Sequence, residues 1–324
     1  MEGPLRLPAE SGGEEVTHSE KLKAILATVQ TDPGNRGLAR DPDDNLFTAT
    51  AGDFERACRS MLDRHEVALE VFTGFFVPTA SPPAFETDGP LGSVFLMRAL
   101  TGIVVQIAIG SPEPCSKAME SGLSAAEFKG FVVVPISGGN FRPSSCIQSG
   151  TEWPGYEGTH LVAVEHAGRA IDGRSYSMRG RDITAETRTI DCDFLKAPRH
   201  GLVTIGIGDG GNEIGMGKIP HETIVKNIPN GDLIHCRVPT DHLIVAGVSN
   251  WGAYALAAGL FVLLDRKPPA GLFDPDRELS ILEAMVRDGP LVDGVTGRQT
   301  ATVDGLTWEE YSRPLVAIQR ILDS

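Results

Sequence analysis

The stretch that most constrains this chain is residues 202–219, which read LVTIGIGDGGNEIGMGKI. A short apolar run with β-branched residues at its centre leads into six glycines, among which lie Asp209, Asn212 and Glu213. Apolar β-branched runs are typical of buried strands, and glycine permits tight turns that a ligand can approach closely. The sequence therefore predicts a buried strand that ends in a glycine-rich turn carrying acidic side chains.

Segments of strand length alternate with segments of helical periodicity on both sides of this turn. Further strands are predicted at residues 67–77, 102–109, 131–136, 160–165, 232–238 and 242–245. Helices are predicted at residues 15–30, 53–63, 91–100, 115–123, 251–264, 276–286 and 308–321. This alternation is typical of parallel strands joined by crossover helices. We expect an α/β fold, a layered, mostly parallel or mixed sheet with flanking helices and a site at the C-terminal ends of the strands.

The length of 324 residues suits one large domain or two closely packed subdomains. Turn-forming residues fill the stretch after the first predicted helix. We therefore predict a lead with one helix at residues 1–45, of which the first dozen residues are loose, and an α/β domain of one or two intimate subdomains at residues 46–324.

Composition excludes several classes of function. A net charge of -14 repels a phosphate backbone, so no nucleic-acid partner is expected. No apolar run approaches the roughly 20 residues that cross a bilayer, so no membrane association is expected. The five cysteines are scattered without a CxxC pair, and the acidic start lacks the pattern of a signal or transit peptide. These features predict a cytoplasmic protein.

The glycine-rich turn formally matches the dinucleotide fingerprint GxGxxG at residues 206–211. A bound pyrophosphate favours positive potential, whereas this turn contributes acids. Hard oxygen ligands instead suit a divalent cation, so the predicted metal ligands are Asp209, Asn212 and Glu213. Gly210 and Gly211 are predicted to let a substrate approach the backbone. The alternative to a metal or substrate site is a tight structural turn whose acids cap backbone amides.

Other candidates lie where predicted strands end or helices begin. Glu86 and Asp88 belong to an ETDGP turn, for which helix capping is the alternative role. Glu165 ends a strand and is predicted to line the pocket. Ser249 and Asn250 open a helix, where backbone N–H groups bind anions, although simple capping explains them equally well.

Arginines cluster in the glycine-rich stretch of residues 168–184. A guanidinium can hold a carboxylate through two hydrogen bonds, which makes Arg169 and Arg179 candidates for substrate binding. A charged surface loop is the alternative for each of them.

Several motifs together resemble the D-glutamate cyclase-like C-terminal domain family. They are TGFFVP (73–78), ETDGP (86–90), VAVEHAGRAIDGRSYSMRG (162–180), GIGDGGNEIGMGKI (206–219), DHLIVAGVSNWGAYAL (241–256) and VDG (303–305). The resemblance spans roughly residues 45–320 in order. It implies a lyase that closes D-glutamate to 5-oxo-D-proline with loss of water, and a divalent cation, manganese with magnesium as the alternative. Longer relatives carry a separate N-terminal domain, so this chain is expected to be a free-standing form.

The residue types suit that reaction. A cation held by the acids of the turn would polarise the γ-carboxylate and bind the developing oxyanion. Glu165 or Asp88 would take the ammonium proton, and Arg169 or Arg179 would hold the α-carboxylate.

Two other functions fit the same residues. One is a metal-dependent hydrolase, a phosphatase or amidohydrolase, acting on a small anionic substrate. The other is a non-catalytic small-molecule binder. The expected partner is a small anionic amino acid in the preferred interpretation, and formation of a homo-oligomer is left open.

Overall fold

The computed structural model describes residues 17–136 and 158–324. The loose start predicted for the first dozen residues and Cys146 lie outside these ranges. Within them, none of the helices combines the length and the apolar character that crossing a bilayer requires.

Helices and strands alternate along the described chain. The helices are α1 His18–Val29, α2 Leu46–Ala49, α3 Asp53–Ser60, α4 Pro90–Leu100, α5 Glu113–Ala125, α6 Asp191–Lys196, α7 His221–Asn227, α8 Gly231–Ile234, α9 Ser249–Leu263, α10 Pro275–Asp288 and α11 Trp308–Asp323. The strands are β1 Ala68–Thr73, β2 Phe76–Val77, β3 Ala84–Phe85, β4 Gln106–Ser111, β5 Val133–Pro135, β6 His160–Val164, β7 Val203–Gly208 and β8 His242–Val245.

Six strands form one parallel sheet in the order β5-β4-β1-β6-β7-β8. The chain builds outward from β1 in one direction with β4 and β5, and in the other with β6, β7 and β8. Strand order therefore reverses between β1 and β6, and the two strands pair there with Val71 opposite Val162. In doubly wound sheets a ligand crevice lies outside the carboxyl ends of the strands at this reversal. The predicted α/β class is confirmed.

Each face of the sheet is covered by helices, so alternate side chains of one strand enter two different cores. In β6, Val162 and Val164 pack into the core beneath α4 and α9, whereas Leu161 and Ala163 pack into the core beneath α6 and α7. The α9 helix is buried around its whole circumference. A helix that is apolar on all sides is stable only inside a layer, which explains why the sequence of α9 shows no polar stripe.

The lead joins the same core as the rest of the chain. A capping box at Thr17 starts α1, and Leu22, Ile25 and Val29 of this helix are buried in the core that contains α9. The predicted boundary at residue 45 stays a prediction, but apolar packing is continuous across it.

Two local predictions are wrong. Residues 232–238 are not a strand, because α8 occupies Gly231–Ile234 and the following backbone bonds to the glycine-rich turn. Cys236 N donates to Gly211 O at 3.0 Å, and Val238 O accepts from Gly215 N at 2.9 Å. Cys236 and Val238 are buried there, which accounts for the apolar pattern.

The second error concerns the start of α9. Val248 occupies the N-cap position without a side-chain cap, whereas Ser249 is the first helical residue. The capping group is the carboxylate of Asp88, which precedes α4 in the chain.

Candidate active site

A cavity of about 690 Å³ opens at the carboxyl ends of β1, β6 and β7. Buried acids line its interior, and apolar and basic side chains line the rest. The lining residues are Gly34, Arg36, Phe75, Phe76, Val77, Pro78, Thr79, Glu86, Glu165, Ser177, Met178, Arg179, Arg181, Asp209, Pro229, Asn230, Gly294, Val295 and Asp304. The cavity lies at the carboxyl ends of the strands, where the site was predicted, and next to the reversal of strand order.

Glu165 follows the last residue of β6 and has a φ of 44°. Non-glycine residues in this left-handed region are uncommon and cost free energy that the surrounding structure must offset. The carboxylate accepts a hydrogen bond from Ser249 Oγ at 2.6 Å. Gly89 makes room for Glu165, because a Cβ at that position would lie 2.7 Å from the Cβ of Glu165. The Glu165 carboxylate is therefore held in one orientation facing the cavity.

Asp88 supplies the missing cap of α9. Its carboxylate accepts from Ser249 N at 2.9 Å and Asn250 N at 2.8 Å. Asn250 in turn caps the start of α4, because its side-chain oxygen accepts from Gly89 N at 2.9 Å and Gly92 N at 2.7 Å. A carboxylate at a helix N-terminus is stabilised by the helix dipole. Ser249 and Asn250 thus lock the ETDGP turn against α9.

Asp209 follows β7 and pairs with a cation that sequence reasoning missed. Arg36 Nη1 donates to Asp209 Oδ2 at 2.8 Å, and Arg36 Nη2 lies 2.9 Å from Asp304 Oδ2. Arg36 lies in the loop between α1 and α2, where Asp32 accepts hydrogen bonds from three successive backbone N–H groups. The loop of the lead therefore contributes a buried guanidinium to the site.

Burial and neighbouring acids disfavour ionisation of the carboxyl groups in this cleft, so their pKa values are raised. Burial raises the pKa of Asp88 to about 7, with Asp304 adding to the rise and the backbone hydrogen bonds opposing it. Burial, followed by repulsion from Asp209, raises the pKa of Glu165 well above its ordinary value. Burial also raises the pKa of Asp209 strongly, although Arg36 counteracts it. One guanidinium cannot balance so many buried acids, so the cleft favours additional positive charge.

Three of these acids converge closely enough to share an ion. One oxygen from each of Asp88, Glu165 and Asp209 lies within 4.8 Å of the others, and all three residues are buried. Carboxylate oxygens are the ligands that Mg²⁺, Mn²⁺ and Ca²⁺ prefer. The donor set therefore fits a hard divalent cation, and a bound cation would relieve the mutual repulsion that raises these pKa values.

The other predicted metal ligands lie in the turn beside Asp209. Glu213 accepts from Gly211 N at 2.8 Å and from Asp209 N at 3.3 Å, so it holds the turn together. The Asn212 amide nitrogen donates to Tyr176 O at 2.7 Å, while its buried side-chain oxygen has no hydrogen-bond partner within the described residues. Of the predicted ligands Asp209 alone belongs to the converging triad, and ligation by Asn212 and Glu213 stays a prediction.

Of the predicted substrate-binding residues in the two turns, Glu86 lines the cavity, whereas Gly210 and Gly211 lie outside its described lining. Glu86 is buried and lines the cavity, and burial with repulsion from Asp304 raises its pKa well above the ordinary value. Gly210 and Gly211 shape the turn behind Asp209, where Gly211 has a φ of 95°. Neither glycine is among the described residues that line the cavity.

The two predicted arginines also differ. Arg179 lines the cavity and donates to Val295 O at 3.3 Å. Arg169 lies outside the described cavity lining, with its Nε 3.8 Å from Asp191 Oδ2. Of the two arginines, Arg179 therefore lines the cavity that also contains the acids.

Arg36 and Asp304 are the site residues that the sequence did not indicate. Arg36 stands in a stretch rich in turn formers, and Asp304 follows β8 by more than fifty residues, so neither is near a recognisable strand end. The VDG motif at residues 303–305 was the available signal for Asp304. Nothing local marked Arg36, because its role depends on contacts with residues far along the chain.

A parallel sheet with a reversal of strand order and a buried acidic cleft at that reversal defines a doubly wound α/β protein with a candidate metal site. The chain belongs to the D-glutamate cyclase-like, C-terminal family, which it matches over residues 25–319. It is 34% identical over 257 residues to a human protein named D-glutamate cyclase, mitochondrial. That alignment covers 76% of this chain and 40% of the human relative, so the chain spans less than half of that protein.

Proposed function

We propose that this protein is a divalent-metal-dependent lyase that closes D-glutamate to 5-oxo-D-proline with loss of water. The observation that carries the proposal is the convergence of Asp88, Glu165 and Asp209 at the strand reversal. Membership of the D-glutamate cyclase-like family and the name of the human relative support the same reaction class.

Ring closure needs an unprotonated α-amine next to an electrophilic γ-carboxyl group. A bound Mn²⁺, or Mg²⁺ as the alternative, would supply Lewis acidity at the γ-carboxyl group and charge stabilisation for the oxyanion. Asp88 and Asp209 would hold that ion, and the Glu165 carboxylate, which converges on the same point, would act beside it. Backbone N–H groups of α9 hold the Asp88 carboxylate in place.

Glu165 is the better candidate for the base that the sequence left open between two residues. Glu165 lines the cavity, whereas Asp88 is absent from the described cavity lining and is committed to capping α9. A carboxylate with a raised pKa is a stronger base once ionised, which suits removal of the ammonium proton. The Ser249 hydroxyl orients Glu165 toward that proton.

The α-carboxylate of the substrate would bind Arg179, which lines the cavity. Arg36 serves a different purpose, because its guanidinium already bridges Asp209 and Asp304. Arg36 holds the ligand Asp209 in place and partly offsets the negative charge of the cleft.

The test is to incubate the purified protein with D-glutamate or L-glutamate and Mn²⁺ or Mg²⁺, with and without a chelator. Lactam formation is followed by chiral chromatography with mass detection. We expect 5-oxo-D-proline that depends on the metal, and we expect Asp209→Asn to abolish its formation. The exposed Asp172→Asn variant is the matched control.

A parallel incubation with p-nitrophenyl phosphate distinguishes the competing functions. Turnover of the phosphate ester without lactam formation would replace the proposal with a hydrolase. Metal-dependent binding of glutamate without any product would replace it with a small-molecule binder. The cytoplasmic location and the state of self-association stay predictions.

A further inference from the structure

The cavity has two chemically different parts. Its acids Glu165, Asp209 and Asp304 are each 8% exposed or less. Met178 and Val295 lie nearer the solvent, Met178 half-buried and Val295 47% exposed. Both of these apolar side chains line the same cavity as the acids. The reacting centre is therefore continuous with an entrance at which these two apolar side chains lie beside the exposed basic side chains of Arg179 and Arg181.

Glutamate itself has no apolar group to cover Met178 and Val295. The cavity volume of about 690 Å³ falls among sites that enclose drug-sized ligands. Glutamate is far smaller, and both of its ends are charged. Exposed apolar side chains that line a binding site are stabilised when apolar surface covers them. The substrate should therefore carry an apolar group in addition to its glutamyl part.

The chemistry of ring closure fixes where that group can be attached. The α-amine must remain free to attack, and the α-carboxylate is needed for binding. Of the functional groups only the γ-carboxyl group remains, and its substituent leaves the reacting centre as the ring forms. We propose that this site, which rests on the proposed ring closure, acts on γ-amides of D-glutamate whose amine part is apolar and lies between Met178 and Val295.

The reaction balances without a further reactant. The α-nitrogen forms a bond to the γ-carbonyl carbon, and the bond from that carbon to the amide nitrogen breaks. The proton lost by the α-amine ends on the departing amine. The products are 5-oxo-D-proline and the free amine, so water is neither consumed nor released. An amine also leaves more readily than the oxygen of a carboxylate.

The test compares two amides with the same reacting bond. The γ-isoamylamide of D-glutamate carries an apolar chain, and the γ-methylamide lacks it. With the full chain and Mn²⁺, we expect kcat/KM for lactam formation to be on the order of tenfold higher for the isoamylamide, since half-buried methylene groups contribute part of about 0.8 kcal/mol each. Reactions without protein give the spontaneous rate to subtract.

Variants locate the source of the preference. In Met178→Ser and Val295→Ser the ratio of the two kcat/KM values should fall toward one, because the apolar contact is lost. Val225→Ser is the matched control, since Val225 is 43% exposed on α7 and lies outside the described cavity lining. The ratio should stay at its wild-type value there. The methylamide rate shows in each case that the variant is folded.

The outcomes separate this inference from the function on which it rests. If D-glutamate and both amides yield no lactam, the proposed ring closure fails. If D-glutamate cyclises and the wild-type protein does not prefer the isoamylamide, the ring closure stands and the substrate class is overturned. A preference that survives both serine variants overturns the assignment to this entrance. Release of D-glutamate instead of lactam from the amides would identify an amidohydrolase.

Discussion

Two buried polar regions of this protein differ in how their charges are balanced. Beneath α4, Arg98 Nη1 lies 2.5 Å from Glu278 Oε2, and the side chains of both residues are 5% exposed or less. Tyr254 donates to the other Glu278 oxygen at 3.4 Å and shares a 2.6 Å hydrogen bond with Tyr311. Here one acid meets one base, and the remaining oxygen has a hydroxyl partner.

The active-site cleft breaks that balance. Glu86, Asp88, Glu165, Asp209 and Asp304 are buried around one guanidinium, Arg36. A structural pair minimises repulsion, whereas a cleft with surplus buried acid is kept in spite of its cost in stability. The difference between the two regions indicates which was shaped for packing and which for chemistry.

The largest expected effect comes from breaking the balanced pair. Replacing Arg98 with Met leaves the Glu278 carboxylate buried and unpaired, which should cost about 3–5 kcal/mol of unfolding free energy. Urea denaturation measures this loss. The double variant Arg98→Met with Glu278→Leu should recover most of it, because the uncompensated charge is gone. A small loss in the single variant would mean that the Arg98–Glu278 pair contributes little to the stability of the fold.

Neutralising an acid of the cleft should impair the reaction without destabilising the protein. Glu165→Gln should lower kcat for lactam formation about a hundredfold to a thousandfold, because the base is removed. The melting temperature should not fall, since one of several mutually repelling acids is neutralised. The exposed Glu120→Gln variant on α5 is the matched control. Wild-type kcat in Glu165→Gln would remove Glu165 from its assigned role.

The amino-terminal end of β6, at the other end of the strands from the cleft, provides a third buried polar group for comparison. Burial, reinforced by Arg64, lowers the pKa of His160 at the start of β6 to about 4. The unfolded chain binds this proton near pH 6.5, so the contribution of His160 to stability should fall as pH drops from 6.5 toward 4, by at most about 3 kcal/mol. Denaturant midpoints across this range test it. His160→Gln should remove this contribution, so the difference in midpoint between the variant and the wild type should change across this range, and a difference that is the same at every pH would contradict the assignment.

The smallest effect concerns the partial charge balance of the cleft. Arg36→Met should cost about 1–3 kcal/mol of stability in metal-free buffer, because the charged hydrogen bond to Asp209 and the ion pair with Asp304 are lost. Added Mn²⁺ should recover part of this loss by taking over the neutralisation. Thermal unfolding with and without Mn²⁺ measures both quantities. A loss that Mn²⁺ does not change would mean that the cation and Arg36 do not act on the same acids.

Local patterns predicted most of the fold. The apolar runs of β6, β7 and β8, and the parallel sheet that they form, followed from residue type and alternation. Asp209 and Glu165 were found because an acid directly after a buried strand has few structural reasons to be there. The prediction failed at residues 232–238, where apolar residues are buried by the glycine-rich turn instead of by strand pairing.

The parts that could not be predicted depend on contacts between distant segments. The Asp88 carboxylate caps a helix that begins more than 150 residues later, and Arg36 reaches Asp209 across 173 residues. Neither of these contacts produces a periodicity or a characteristic residue spacing by which it could be recognised in the sequence. The same limit explains why the turn at residues 209–213 suggested a local ligand set, although the converging triad draws one acid from each of three segments.

The most direct test of the central claim uses D-glutamate carrying ¹⁸O in both oxygens of its γ-carboxyl group, incubated with the protein and Mn²⁺. Ring closure with loss of water predicts 5-oxo-D-proline that retains one labelled oxygen, with the other released as labelled water. Asp209→Asn should yield no more product than a blank without protein. Recovery of doubly labelled D-glutamate alone from the wild-type reaction would contradict the account.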